Sequence, residues 1–138
     1  DAIYRLAEGK LPILFHTGDH RYTWSRPYRL ARVMERFPEL VCIGAHFGGW
    51  SCWQEAYDTY RGGRLYMDTS SSLMFLKPEE ALRFFEKFGV SHFFFGTDFP
   101  MWRHTDELKR FHALGLDAQT EGMLLSGNFE RVVIRKEN

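Results

Sequence analysis

Four short, continuously apolar runs, residues 11–15, 40–45, 65–67 and 93–95, recur along the chain, and each is followed by a segment with apolar residues at helical spacing. Strands joined this way do not pair as hairpins, because each helix returns the chain to start the next strand in the same direction. The pattern therefore predicts parallel strands in an α/β fold. Runs without polar alternation suit strands buried on both sides, so both faces of the sheet are expected to be covered.

Local signals place the helices. Ile3, Leu6 and Ala7 share a helical face ahead of the first run, and Gly9 suits a C-terminal cap. Pro27 fits a first helical turn with Ser25 as candidate cap, and Leu30, Val33, Met34 and Phe37 form a stripe that Pro38 ends. Trp50, Trp53, Tyr57 and Tyr60 predict one face of the next helix, closed by Gly62 and Gly63. Pro78, Glu79 and Glu80 make an acidic first turn, as the helix dipole favours, for a helix carrying Ala81, Phe84, Phe85 and Phe88 and capped by Gly89. Thr105 is the candidate cap of a helix carrying Leu108, Phe111 and His112, and Asp117 and Asn128 open two more helical segments.

Polar residues fall at the same place in each repeat. His16, His46, Asp68 and Asp98 follow the four apolar runs at intervals of 30, 22 and 30 residues. In parallel α/β folds ligands sit outside the carboxyl ends of the strands, so four ionisable side chains are expected at one mouth. Two imidazoles and a carboxylate are a donor set for a divalent cation such as zinc. Each residue also has a structural alternative. A strand-end histidine can bond a loop backbone, Asp98 before Phe99 and Pro100 can form a turn, and Asp68 ahead of Thr69 and three serines suits an Asx-turn. In the loop after the first strand, Arg21 and Arg26 are candidates to pair a substrate carboxylate, with His20 beside them. Trp102 and His104 follow Asp98 and are candidate pocket walls. His92 reads as structural and His112 as helical surface.

Composition narrows the function classes. The 138 residues carry 18 Lys+Arg against 18 Asp+Glu, a balance that argues against a nucleic-acid binder relying on a basic surface. An aromatic share of 17% supports a packed core. No apolar run approaches the roughly 20 residues of a membrane helix, and the opening DAIYRLAEGK mixes both charge signs, unlike a signal peptide. Cys42 and Cys52 lie outside any CxxC pattern and read as free thiols of a reducing compartment, so a cytoplasmic location is expected. The expected partner is a small-molecule substrate, with neither nucleic acid nor membrane.

The strand ends ILFHTGD, IGAHFGG, MDTSSS and FGTDFPMW resemble the later strand ends of the amidohydrolase superfamily. The resemblance is nearest to its amidohydrolase-related branch of metal-dependent hydrolases and aminocarboxymuconate-semialdehyde-decarboxylase-like enzymes. It covers nearly the whole chain and implies four consecutive βα units, strands five to eight of a TIM-type (β/α)8 barrel, plus C-terminal helices. It further implies that His16 is a metal ligand, that His46 acts as acid/base or polarises the reacting group, and that Asp98 is a metal ligand able to take a proton from metal-bound water. The implied cofactor is a divalent metal, with zinc expected, and the implied activity is metal-dependent hydrolysis. A metal-dependent decarboxylase of a small unsaturated or aromatic acid is the alternative.

The family's first-strand His-x-His pair has no counterpart in this sequence. The length is also about half of the roughly 250 residues of a closed barrel. Residues 1–138 are therefore expected to be the carboxyl-terminal half of the barrel without its amino-terminal half, inactive alone. A non-catalytic half-barrel that binds or scaffolds is a third reading. An unrelated doubly wound fold is disfavoured, because no glycine-rich phosphate loop follows any strand. Open strand edges and a bare apolar interior predict self-association as a homodimer, or pairing with the amino-terminal half.

Overall fold

The computed structural model describes residues 1–134. The chain divides into two compact units, Asp1–Asp68 and Thr69–Asn138.

The first unit runs α1 (Ala2–Ala7), β1 (Ile13–Phe15), α2 (Pro27–Arg36), β2 (Cys42–Gly44), α3 (Trp53–Thr59) and β3 (Leu65–Asp68). β1 pairs with β2 and β2 with β3, both parallel. The register aligns Ile13, Cys42 and Leu65 in one row, Leu14, Ile43 and Tyr66 in the next, and Phe15, Gly44 and Met67 in the third. Side chains alternate along a strand, so the first and third rows share a face. That face is the deeper one at the sheet centre: Cys42 and Met67 are fully buried and Leu65 nearly so. Burial pushes the Cys42 thiol up to about 12, and both cysteines are buried and free. On the opposite face Leu14 is 63% exposed. At β1 a purely apolar run thus coexists with an exposed Leu14, the kind of bare apolar surface expected of four strands without the rest of a barrel.

Pro27 opens α2 as expected, but Ser25 does not cap it. Its hydroxyl instead donates to the Gly18 carbonyl. The next helix starts at Trp53 rather than Trp50. The Trp50 backbone is already engaged, its N–H donating to Thr17 O and its carbonyl accepting from Asp19 N, so it cannot join a helical ladder.

The second unit contains α4 (Pro78–Phe88), a 3₁₀ turn (Val90–His92), β4 (Phe93–Phe94), α5 (His104–His112), α6 (Ala118–Gly122), a π-helical turn (Met123–Gly127) and α7 (Asn128–Val132). Glu80 accepts from the Lys77 N–H at 2.9 Å, fastening the first turn of α4. β4 is shorter than the apolar run because Phe95 N donates to Leu124 O. Phe93 is fully buried and meets Phe85 edge-on at 4.8 Å between centroids. Truncating such a core phenylalanine costs about 3–5 kcal/mol. Asn128 starts α7 and is buried, its amide donating to Val90 O at 2.8 Å and Phe93 O at 2.9 Å. Asp117 caps α6, accepting from Thr120 N at 2.9 Å. Arg103, not Thr105, holds the N-cap position of α5. The buried residues of that helix are Glu107 and Phe111, while Leu108 is only half-buried.

Among the described residues, no helix is long and apolar enough to cross a membrane.

Candidate functional site

β1 ends at Phe15 and delivers His16; β2 ends at Gly44, two residues before His46. The two rings meet. His16 Nδ1 lies 3.2 Å from His46 Nε2, with ring planes 70° apart. A hydrogen bond here needs a proton on one nitrogen and none on the other. His16 is exposed, whereas His46 is 7% exposed.

His46 and Phe47 both take left-handed backbone, with φ of 62° and 53°. Such strain costs of order 1–3 kcal/mol per residue and persists only where surroundings over-determine it. Here Asp68 supplies the restraint. Its Oδ1 accepts from His46 N at 3.0 Å and its carbonyl accepts from Phe47 N at 2.8 Å. Trp53 Nε1 donates to the His46 carbonyl at 3.0 Å. Asp68 therefore holds the loop that presents His46.

Glycines let the two strand-end loops close on each other. Gly18 has φ 105°, and a Cβ there would lie 2.2 Å from Trp50 N. Gly48 has φ 71°, and a Cβ would lie 2.6 Å from the Tyr60 ring. Tyr60 in turn donates its hydroxyl to Gly48 O at 2.8 Å, and burial raises the pKa of that phenol.

The loop arginines already have carboxylate partners. Arg21 grips Asp19 with Nε at 2.9 Å and Nη2 at 2.8 Å, and this holds the Asp19 carboxyl down at about 2. Arg26 Nε donates to Glu55 at 2.7 Å, which raises the guanidinium pKa. Arg26 also lines a cavity of about 90 Å³ with Tyr4, His16, Thr17, Trp24 and Arg29. One imidazole and two guanidiniums make it suited to an anionic group. Arg29 and Trp24 were not singled out by sequence, although Arg29 lies three residues beyond Arg26, where helical neighbours fall. His20 is tied to Ser51, Nδ1 to Oγ at 2.9 Å.

In the second unit, Asp98 follows β4 with φ 58° and is exposed. Its Oδ2 accepts from Ser71 Oγ at 2.6 Å, and Trp102 Nε1 donates to the same hydroxyl at 2.9 Å. Ser71 is 5% exposed and is itself left-handed, with φ 50°. Thr97 Oγ1 meets His104 Nδ1 at 2.9 Å, and Phe99 stacks on the His104 ring at 4.8 Å. His112 pairs with Glu121 on the surface at 3.0 Å.

The first unit thus brings His16, His46 and Asp68 together, and the second brings Asp98 and Trp102 together through Ser71. The donors are chemically right for a divalent metal: neutral imidazole nitrogen and carboxylate oxygen. The count is short. A catalytic zinc takes three protein ligands, and no group of three or more His, Cys, Asp or Glu among the described residues is arranged to hold a metal. The residues fit part of a metal centre and do not complete one.

A family model described as amidohydrolase matches residues 2–133. No curated protein matches the sequence. Among solved structures, the chain is similar to an uncharacterized TIM-barrel protein from Bordetella bronchiseptica, with 22% identity and a TM-score of 0.74 over 95% of this chain and 48% of that one. A dihydroxybenzoic acid decarboxylase from Polaromonas with bound manganese matches at 16% identity and TM-score 0.56, over 80% and 41% of the two chains. An amidohydrolase from Burkholderia multivorans with bound zinc matches at 13% identity and TM-score 0.60, over 77% and 48%. The chain spans about half the length of the solved structures it matches. The fold is that of half a TIM barrel.

Proposed function

This chain belongs to the amidohydrolase family, and from that premise we propose that it forms the carboxyl-terminal part of a metal-dependent hydrolase of small molecules. The observation that carries the reading is the 3.2 Å contact between His16 and His46, made from a strained backbone that Asp68 restrains. Energy spent to hold an ionisable side chain in a rare conformation is typical of functional positions.

His16 and Asp98 are each a proposed metal ligand, and a complete centre would need further donors. A divalent metal bound by such ligands would supply an activated water near neutral pH. His46 gives or takes a proton at Nε2, the nitrogen turned toward His16. Asp98 accepts a proton through its carboxylate. Arg26, with Arg29, orients a substrate anion in the cavity, in competition with Glu55. Arg21 is bound to Asp19, so its proposed substrate contact requires opening that pair. Trp102 offers its ring face as a wall, its N–H being committed to Ser71. Zinc and manganese both occur in the similar structures, and zinc is the proposed metal.

A second reading, metal-dependent decarboxylation, is favoured by the likeness to the dihydroxybenzoic acid decarboxylase and by the cationic cavity. Turnover separates the two. Hydrolysis of amides or lactones supports the first, and release of carbon dioxide from a dihydroxybenzoate supports the second. Metal retention with neither activity returns the chain to a scaffold role. In the full polypeptide, His16→Ala and Asp98→Ala each lower bound metal, and unchanged metal in both removes them as ligands. His46→Ala keeps the metal and loses turnover.

The exposed Leu14 in β1 motivates a proposal of self-association through that bare face. Sedimentation of this chain as a monodisperse monomer would defeat it.

A further inference from the structure

We propose that Ser71 is a positioning residue for Asp98, with Trp102 as its anchor; the inference rests on reading Asp98 as part of the site. Neither role follows from sequence, where Ser71 is one of three consecutive serines. In the structure the three groups form a directed chain. The Trp102 indole has one N–H and no acceptor, so it must donate to Ser71 Oγ. With that lone pair occupied, the hydroxyl proton turns to Asp98 Oδ2 at 2.6 Å.

The chain is local and strained. Ser71 and Asp98 both hold left-handed backbone, at φ 50° and 58°. Ser71 is buried while Asp98 is exposed. An exposed carboxylate on a short side chain would otherwise sample its rotamers. One buried hydroxyl, aligned by an indole, restricts it. With Oδ2 accepting from Ser71, Oδ1 is the less encumbered oxygen for a ligand or a proton. Groups that orient a metal-binding carboxylate in this way set affinity without touching the metal.

The test uses the full polypeptide with Ser71→Gly and Ser71→Asn. Glycine prefers the φ of residue 71, so removal of the hydroxyl does not threaten folding. Asparagine tolerates the same φ and restores a donor. The first measurement is the Asp98 χ1 coupling in solution, with the Trp102 indole resonance as reporter. A single rotamer in the parent that averages in Ser71→Gly, with a shifted Trp102 indole and unmoved Trp24, Trp50 and Trp53 indoles, supports the role. An Asp98 rotamer unaffected by Ser71→Gly overturns it. The second measurement is the dissociation constant for Mn²⁺ alone. It should rise about 10-fold or more in Ser71→Gly, within the range typical of such supporting groups, and recover at least partly in Ser71→Asn. Unchanged affinity in Ser71→Gly also overturns the role. A parent that binds no Mn²⁺ defeats the functional reading, while the rotamer measurement still decides the positioning claim.

Discussion

His46 in the first unit and Asp98 in the second both lie just beyond a strand in left-handed backbone, yet they are held differently. His46 is buried, and its restraint acts on the main chain: Asp68 takes its N–H and Trp53 its carbonyl. Asp98 is exposed; its carbonyl accepts from Met101 N at 2.8 Å, and its side chain is held through a serine hydroxyl. The buried histidine is set by the path of the backbone, so its loop should survive loss of the ring. The exposed carboxylate has a single donor among the described residues, so its orientation should be lost with one atom.

The sharpest way to break this contrast is to strike the backbone lock. Gly18→Ala would place a Cβ against Trp50 N at a φ that L-residues rarely adopt. We expect destabilisation of about 3–5 kcal/mol, read from the denaturant midpoint, since strain and overpacking add. A loss below about 1 kcal/mol would mean the two loops are not clamped as described. Asp68→Ala comes next. It strips His46 N of its acceptor in a buried loop and should cost about 1–3 kcal/mol, with loss of the His16–His46 contact detectable in the imidazole resonances. Retention of that contact would show that the loop holds without the Asp68 carboxylate, through bonds such as Phe47 N to the residue-68 carbonyl and Trp53 Nε1 to the His46 carbonyl.

Two carboxylates extend the comparison. Asp19 and Glu107 are each buried beside an arginine, but their acidities move in opposite directions. Asp19 receives a bidentate grip and falls to about 2. Glu107 is raised, because burial outweighs its bond to Arg110, and its Oε2 has no hydrogen-bond partner among the described residues. A carboxyl held down in the folded state adds stability above its unfolded value of 3.8, lost as pH falls toward about 2. One held up, as Glu107 is, contributes most below the unfolded value of 4.5 and loses that contribution as pH rises through the raised value. Glu107→Gln should therefore raise stability at pH 7 by about 1 kcal/mol or less and change little near pH 4. Equal effects at both pH values would exclude the burial account.

Much of the architecture was legible because its signals are local. Pro78 with its acidic successors opens α4 and Gly89 closes it, as read from the chain. Asp117 caps α6 through a residue three positions on. The start of α3 is not legible in the sequence, because Trp50 is claimed by Thr17 and Asp19, more than thirty positions away. Glu107 gives no local signal of its burial, because a hydrophobic pattern has no symbol for a buried acid. Ser25 looked like a cap and instead serves the Gly18 turn.

The sequence by itself determined the alternation of strands and helices, the placing of His16, His46, Asp68 and Asp98 at strand ends, and the family resemblance that the amidohydrolase match bears out. Those depend on apolar spacing and on neighbours within a few residues. Only the tertiary structure decided that His16 faces His46, that Asp68 serves the backbone of His46, and that Ser71 joins Trp102 to Asp98. Each of these pairs spans 22 to 31 residues. A hydrogen bond fixes direction to within tens of degrees, and only the folded chain sets direction between residues so far apart.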